Sequence, residues 1–169
     1  MNTKVVVTGG AGFIGSHIVD ALVADGLDVH VVDTFYGGRK EDRINAKATY
    51  HEVDIRSTDE IAKVFEGADV VYHTAAIPRV QYAVEHPVET TEVNVTGTAS
   101  VLAAAVTAKV RRVVYSSSGS AYGDQTIMPL VETMTANPVN PYGMQKYQGE
   151  LLTGLWSRVY SIETVSLRY

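Results

Sequence analysis

Tyr142 and Lys146 stand four residues apart in the stretch Asn140-Pro141-Tyr142-Gly143-Met144-Gln145-Lys146, a spacing that places both on one face of a helix. A phenol with its ordinary pKa of about 10 is a poor base at neutral pH, but a neighbouring ammonium favours the phenolate and draws that value down. Such a pair can exchange a proton with a hydroxyl. The same spacing also describes an exposed tyrosine beside a solvated lysine, with no chemistry at all. Ser116-Ser117-Ser118 closes an apolar run and adds hydroxyls that can bond to a substrate alcohol and help pass its proton to Tyr142. Serines at a strand end also satisfy backbone groups, so both readings stay open for Ser116 and Ser117.

A second cluster lies near the start of the chain. Thr8-Gly9-Gly10-Ala11-Gly12-Phe13-Ile14-Gly15 follows the apolar run Val5-Val6-Val7 and precedes a helical pattern. Gly10, Gly12 and Gly15 fit G-x-G-x-x-G, in which glycines permit a tight turn, let backbone approach a pyrophosphate and bring the helix close to the strand. The helix then offers its free N–H groups to the phosphates. Asp33 ends the next apolar run, Val29 to Val32, where a carboxylate can accept hydrogen bonds from both hydroxyls of an adenine ribose. It would repel a 2'-phosphate, which favours NAD over NADP. Arg39 and Lys40, downstream, either soften that preference or form a solvated basic pair.

The elements that must position these residues alternate along the chain. Apolar, β-branched runs fall at 3–8, 28–33, 49–53, 68–73, 111–116 and 162–168, and helical patterns at 13–25, 58–65, a longer one within 81–108, and 141–160. Ile14, Ile18 and Leu22 recur at intervals of four, with Val19 and Val23 widening the stripe, which predicts a helix packed against a sheet, and Gly26 stands at its expected stop. Asn140 and Pro141 suit the cap and first turn of the last helix. Gly119 to Asn140, with Pro129 and Pro138, reads as a long loop of the kind that often carries function. Alternation of this sort predicts an α/β fold: a Rossmann-like, doubly wound parallel sheet of six strands in the order 3-2-1-4-5-6. The glycine turn, Asp33, Asp54, His73 to Ala76 and Ser116 to Ser118 then converge at the carboxyl ends of the strands.

Composition narrows the classes. With 169 residues the sequence reads as one domain, residues 1–169, without room for a second. A net charge of -5 argues against nucleic acid or an anionic membrane as partner. Lys109, Arg111 and Arg112, the compact basic cluster, read as a solvated strand entrance. With no cysteine there is no disulfide framework or thiolate metal site, and the five histidines lack metal-ligand spacing, so no metal is expected. No run approaches a membrane span and the first strand begins too early to leave a signal peptide; a soluble, cytoplasmic protein is the expectation.

Together, the motifs Thr8 to Gly15, Asp54-Ile55-Arg56, His73-Thr74-Ala75-Ala76, Asn94-Val95-Thr96-Gly97-Thr98, Ser116-Ser117-Ser118 with Tyr122-Gly123, Pro141-Tyr142-Gly143 with Lys146, and Leu167-Arg168-Tyr169 run the length of the chain. In this order they resemble the extended short-chain dehydrogenase/reductase family, in its NAD-dependent epimerase/dehydratase branch typified by UDP-glucose 4-epimerase. The resemblance implies that Gly9, Gly12 and Gly15 form the pyrophosphate turn with backbone contacts from Phe13 and Ile14. It implies that Asp33 holds the adenine ribose, that Asp54 and Ile55 meet the adenine edge, and that Ala75 and Ala76 line the cofactor groove. Tyr142 would be the base, Lys146 would bind the nicotinamide ribose and lower the tyrosine's pKa, and Ser118 would take the place of the family's catalytic serine or threonine. Asn94 and Ser116 join the cofactor set, Asn94 with the alternative of a helix position bonding to backbone. Dehydratases of the branch carry Asp-Glu after the catalytic serine or threonine, where this chain has Gly119 and Ser120, so a 4-epimerase acting on a nucleotide sugar is implied.

Relatives run to about twice the length of a single domain. Here the sequence stops as its sixth strand ends, so the small domain that grips a UDP-sugar is expected to be absent. Three functions follow from that gap. The chain is the cofactor-binding portion of an epimerase, or a free-standing NAD-binding module without turnover, or a small reductase using the same three residues. The family resemblance further implies a homodimer built on the two long helices, to which Val101, Leu102, Ala105 and Val106 could contribute, although core packing explains them equally.

Overall fold

The computed structural model describes residues 2–38 and 40–169; Arg39, half of the basic pair noted above, lies outside the described residues. The first strand, β1 (Lys4–Thr8), sends Val5 and Val7 to one apolar cluster and Val6 to another. A strand apolar on both faces must be covered on both. After it come α1 (Phe13–Ala24), β2 (Asp28–Asp33), β3 (Thr49–Glu52), α2 (Thr58–Phe65) and β4 (Ala68–His73). The chain continues through α3 (Val80–Glu85), α4 (Pro87–Thr91), a π-helical turn (Glu92–Thr96), α5 (Gly97–Thr107), β5 (Arg112–Ser117), α6 (Pro141–Tyr160) and β6 (Glu163–Arg168). The six strands pair in parallel in the order β3-β2-β1-β4-β5-β6, as the alternating pattern predicts. Chain direction along the sheet reverses between β1 and β4, which opens a crevice at their carboxyl ends.

On one face α1 packs Val19 and Leu22 against Val5, Val7, Val29 and Val31. On the other, Ile61 and Phe65 of α2 and Leu102 and Ala105 of α5 bury Val6, Val71 and Val113, with Leu152 and Trp156 of α6 beside them. Each fully buried aliphatic or aromatic side chain contributes about 1.5–3 kcal/mol. Gly26 ends α1 at φ +78, a backbone conformation that costs glycine little. At the start of α6, Asn140 Oδ1 accepts from Gly143 N at 2.8 Å and Pro141 occupies the first turn.

Three features differ from the sequence reading. The single long helix expected within 81–108 is broken into α3, α4, the π-helical turn and α5, because Pro87 lacks the N–H needed to continue α3. Val101, Leu102 and Ala105 are wholly buried within the core, and Val106, partly buried, packs against the same cluster, so of the two readings core packing accounts for the first three. The basic cluster is not simply solvated: Arg111 pairs with Asp69 at 2.7 Å and Glu163 at 3.1 Å, and Arg112 with Glu163 at 2.7 Å, tying together the entrances of β4, β5 and β6. No described helix is long and apolar enough to cross a membrane. Thr164 and Ser166 of β6 face α6, so Val165 and Leu167 point to the opposite sheet face, where they are exposed.

Candidate active site

The carboxyl ends of the strands border a cavity of about 910 Å³. That volume is within the range of small-molecule pockets. One end is the glycine turn. Gly9 has φ +72, and a Cβ there would stand 2.6 Å from Ala75 N; a Cβ on Gly15 would stand 2.1 Å from Gly9 O. In both cases the obstacle is a backbone atom, so no side-chain rotation relieves the contact. Gly9 N donates to Val32 O at 2.8 Å and Gly12 N to Gly9 O at 3.0 Å, which fixes the turn on the sheet. No side chain caps α1 at Gly12. The first-turn N–H groups of Phe13, Ile14 and Gly15 therefore remain available to an anion in the cavity that these residues line.

Asp33, at the end of β2, lines the same cavity. Its Oδ2 accepts from Ala11 N at 3.0 Å and its Oδ1 from Phe35 N at 2.8 Å. Each carboxylate oxygen has two acceptor positions, so one on each remains for a vicinal diol. Asp54 also lines the cavity, but Arg56 grips its carboxylate at 2.6 and 3.0 Å, and these bonds hold its pKa below the usual carboxylate range. Ile55 is buried and packs where Gly97 leaves space, since a Cβ on Gly97 would meet Ile55 Cδ1 at 2.6 Å. Ala75 and Ala76 follow β4 and form the wall between the glycine turn and the far end.

Ser116, Ser117, Tyr142, Lys146 and Tyr169 form that far end. Lys146 is 4% exposed and its Nζ donates to Ser116 O at 2.8 Å. Burial without a carboxylate partner brings its pKa down to about 8. The expectation that Lys146 lowers the pKa of Tyr142 is not met: burial raises the phenol above its ordinary value, and the opposing influence is the hydrogen bond from Ser118. The hydrogen bond with Ser118 is the influence that eases ionisation of Tyr142. The Ser118 hydroxyl also accepts from Ser120 N at 3.1 Å, which leaves its proton for the phenol. Ser117 donates to the Glu150 carboxylate, which is clamped by Arg168 at 2.6 and 2.8 Å.

Asn94 is the exception among the expected cofactor residues. It is 1% exposed and does not border the cavity. Its Oδ1 accepts from Ile77 N at 2.8 Å, and its Nδ2 donates to Ile77 O at 3.1 Å and Gln145 Oε1 at 2.8 Å, leaving no donor for a ligand. Sequence reasoning missed Gln145 itself, although a polar residue within the Tyr142 to Lys146 turn was a signal. It also missed Tyr36 and Tyr82 at the cavity wall, where Tyr82 donates to Glu89 at 2.8 Å. His73, placed at a strand end, is fully buried between Thr8 at 2.7 Å and Thr98 at 3.0 Å, and burial holds its pKa down at about 3. Among the described residues no group of three His, Cys, Asp or Glu could hold a metal ion.

Known proteins resemble this chain in sequence and fold. A UDP-glucose 4-epimerase of Lactobacillus helveticus is 39% identical over 168 residues, covering 98% of this chain and 51% of its own length. The structure of a Thermotoga maritima UDP-glucose 4-epimerase with UDP-glucose superposes with a TM-score of 0.94 at 33% identity, covering 99% of this chain and 55% of the other. A Thermus thermophilus UDP-glucose 4-epimerase in complex with NAD gives 0.91 at 35% identity, with 99% and 55% covered. The chain thus spans about half the length of the relatives it matches. The model of the NAD dependent epimerase/dehydratase family matches residues 5–169. A parallel sheet in the order 3-2-1-4-5-6, a glycine turn built on backbone contacts, and a buried Lys146 beside Tyr142 on α6 are therefore those of a member of the NAD dependent epimerase/dehydratase family.

Proposed function

We propose that this chain is the NAD-binding portion, and one cofactor-binding domain, of a nucleotide-sugar epimerase of the UDP-glucose 4-epimerase type. The observation that carries this reading is the placement of Tyr142, Lys146 and the glycine turn around one cavity, with Asp33 beside the turn. The first-turn N–H groups of α1 would hold the pyrophosphate of NAD, and the two free acceptor positions of Asp33 the hydroxyls of the adenine ribose. NAD, when bound, supplies a site that takes up and returns hydride. Tyr142, in its phenolate form, would accept the proton of the sugar 4-hydroxyl and later return it. Ser118 would stabilise the developing phenolate by its hydrogen bond, and Lys146, whose Nζ is held by Ser116 O, would offer its ammonium to the nicotinamide ribose. Ser116, on the cavity wall, completes the polar lining beside Lys146.

Epimerases and dehydratases share one family, so the fold does not choose the reaction. Gly119 and Ser120 do favour one, because elimination of water needs an acid and a base at these positions and neither residue can titrate there. Residues that grip the sugar nucleotide would come from a further portion. The exposed Val165 and Leu167 offer an apolar sheet face for it to cover. Self-association is supported by Leu151, Leu155 and Val159, exposed at intervals of four on α6, in place of the α5 residues now known to be core.

A test uses the chain joined to a substrate-gripping portion from a related epimerase. Conversion of UDP-galactose to UDP-glucose is expected, and Tyr142→Phe should abolish it while NADH binding persists. Loss of NADH binding in that variant would make Tyr142 structural and overturn the assignment.

A further inference from the structure

We propose that Gln145 is a positioning residue: through Asn94 and Thr90 it fixes the start of α6, with Tyr142 and Lys146, against the Ile77 segment of the cavity wall. The inference rests on the reading of the cavity as a cofactor site. Gln145 is 2% exposed, and every polar atom of its side chain is engaged. Oε1 accepts from Asn94 Nδ2 at 2.8 Å, and Nε2 donates to Thr90 Oγ1 at 2.9 Å and Thr91 Oγ1 at 3.2 Å. The two threonines spend their own protons on His86 O at 2.9 Å and Pro87 O at 2.7 Å, so they can only accept from Gln145. Asn94 likewise engages both backbone groups of one residue, Ile77 N and Ile77 O. Inverting either amide would set donor against donor, so the arrangement has one solution.

The same network continues beneath the cavity. Thr98 Oγ1 donates to Asn94 O at 2.7 Å and accepts from His73 Nε2 at 3.0 Å, while Thr8 Oγ1 bonds to His73 Nδ1 at 2.7 Å and to Ala75 N at 3.4 Å. Ala75 is the residue against which Gly9 turns. A continuous buried path therefore joins the glycine turn to α6, from beneath the phosphate end of the cavity to its acid-base end. Apolar contacts along α6 allow sliding at small cost, whereas a fully satisfied buried polar network admits one register. Gln145 lies three residues after Tyr142 and directly before Lys146, within about one helical turn of both. The Asn94 end of the path forms the π-helical turn, an irregularity that recurs at functional sites.

Gln145→Met in the present 169-residue chain removes the amide with little change in length, and Thr90→Val removes one of its partners. NADH affinity, the titration of Lys146 followed by NMR of its ε-carbon, and the melting temperature are measured together. Gln145→Met is expected to weaken NADH at least about tenfold, because small misplacements at a site are costly. The Lys146 titration should rise from about 8 toward the ordinary lysine value of 10.5 as water reaches the ammonium. Thr90→Val should move both in the same direction by less, and decides the matter if Gln145→Met does not fold. Variants that melt lower yet keep wild-type NADH affinity and the Lys146 titration would show a structural residue only and overturn the proposal. Failure of the wild-type chain to bind NADH would instead overturn the cofactor reading, with the Lys146 titration still testing the role of Gln145.

Discussion

Gly15→Ala is the sharpest test of the glycine turn. A Cβ built at Gly15 stands 2.1 Å from Gly9 O and 2.8 Å from Gly10 Cα. An ordinary carbon to oxygen contact is about 3.3 Å, so relief requires about 1.2 Å of movement. Nothing flexible lies in the way. The start of α1 or the turn must shift, and Gly9 is itself held by Val32 O and wedged against Ala75. Overpacking a core by one methyl group costs about 1–3 kcal/mol, and a backbone obstacle belongs at the upper end. About 3 kcal/mol lowers the melting temperature of a chain this size by about 6–12 °C. The same shift would misplace the N–H groups of Phe13 and Ile14, so NADH affinity, read by fluorescence titration, should fall by at least about tenfold. Gly26→Ala is the control: at φ +78 with no atom within 4 Å of its Cβ, it costs about 1–2 kcal/mol of backbone strain and leaves NADH affinity unchanged. A Gly15→Ala variant that binds NADH like the wild type and melts within about 1 °C of it would refute the reasoning.

His73 makes stability depend on pH in a stated direction. Its folded pKa of about 3 lies below the unfolded value of 6.5, so the unfolded chain takes up a proton that the folded one refuses. Stability is therefore full above pH 6.5 and falls toward pH 3, by about 1.4 kcal/mol per pH unit once well below 6.5. Urea unfolding at pH 5 and 7 should show a smaller pH difference in His73→Gln, and an equal difference would refute the assignment. Asp33→Asn keeps one carbonyl acceptor for the backbone but removes the charge, so the preference for NADH over NADPH should narrow in competitive binding. An unchanged preference would show that another group sets it. Leu155→Glu should turn a dimer into a monomer in sedimentation if α6 is the self-association face, while a wild-type monomer at micromolar concentration would remove the basis for that face.

Motifs that act through backbone were legible because only certain residue types permit them. Gly9 and Gly15 leave room that no other residue leaves, Asp33 ends a strand where a ribose can reach it, and Pro141 starts a helix that cannot start much earlier. The continuous valine run in β1 likewise requires cover on both faces, which leads to the doubly wound sheet. The break in the helix before β5 was less legible, since Pro87 lies inside an otherwise helical pattern and its effect depends on the two threonines that bond back to His86 and Pro87.

What the sequence determined by itself is the order of strands, the glycine turn and the identity of the residues at the strand ends, because these follow from local sterics and from short-range periodicity. Tertiary structure decided the rest, since burial and hydrogen-bond partners are set by residues distant in the chain. Asn94 became an internal peg because Ile77 and Gln145 consume its amide. Val101, Leu102 and Ala105 became core because α5 lies against the sheet. Lys146 has its pKa brought down to about 8 because burial penalises its charge and its Nζ finds, among the described residues, only the Ser116 carbonyl as a hydrogen-bond acceptor, and the phenol of Tyr142 is raised because desolvation outweighs the hydrogen bond of Ser118. Four-residue spacing brings a tyrosine and a lysine together, but the environment that the fold builds around them sets which of the two holds its proton.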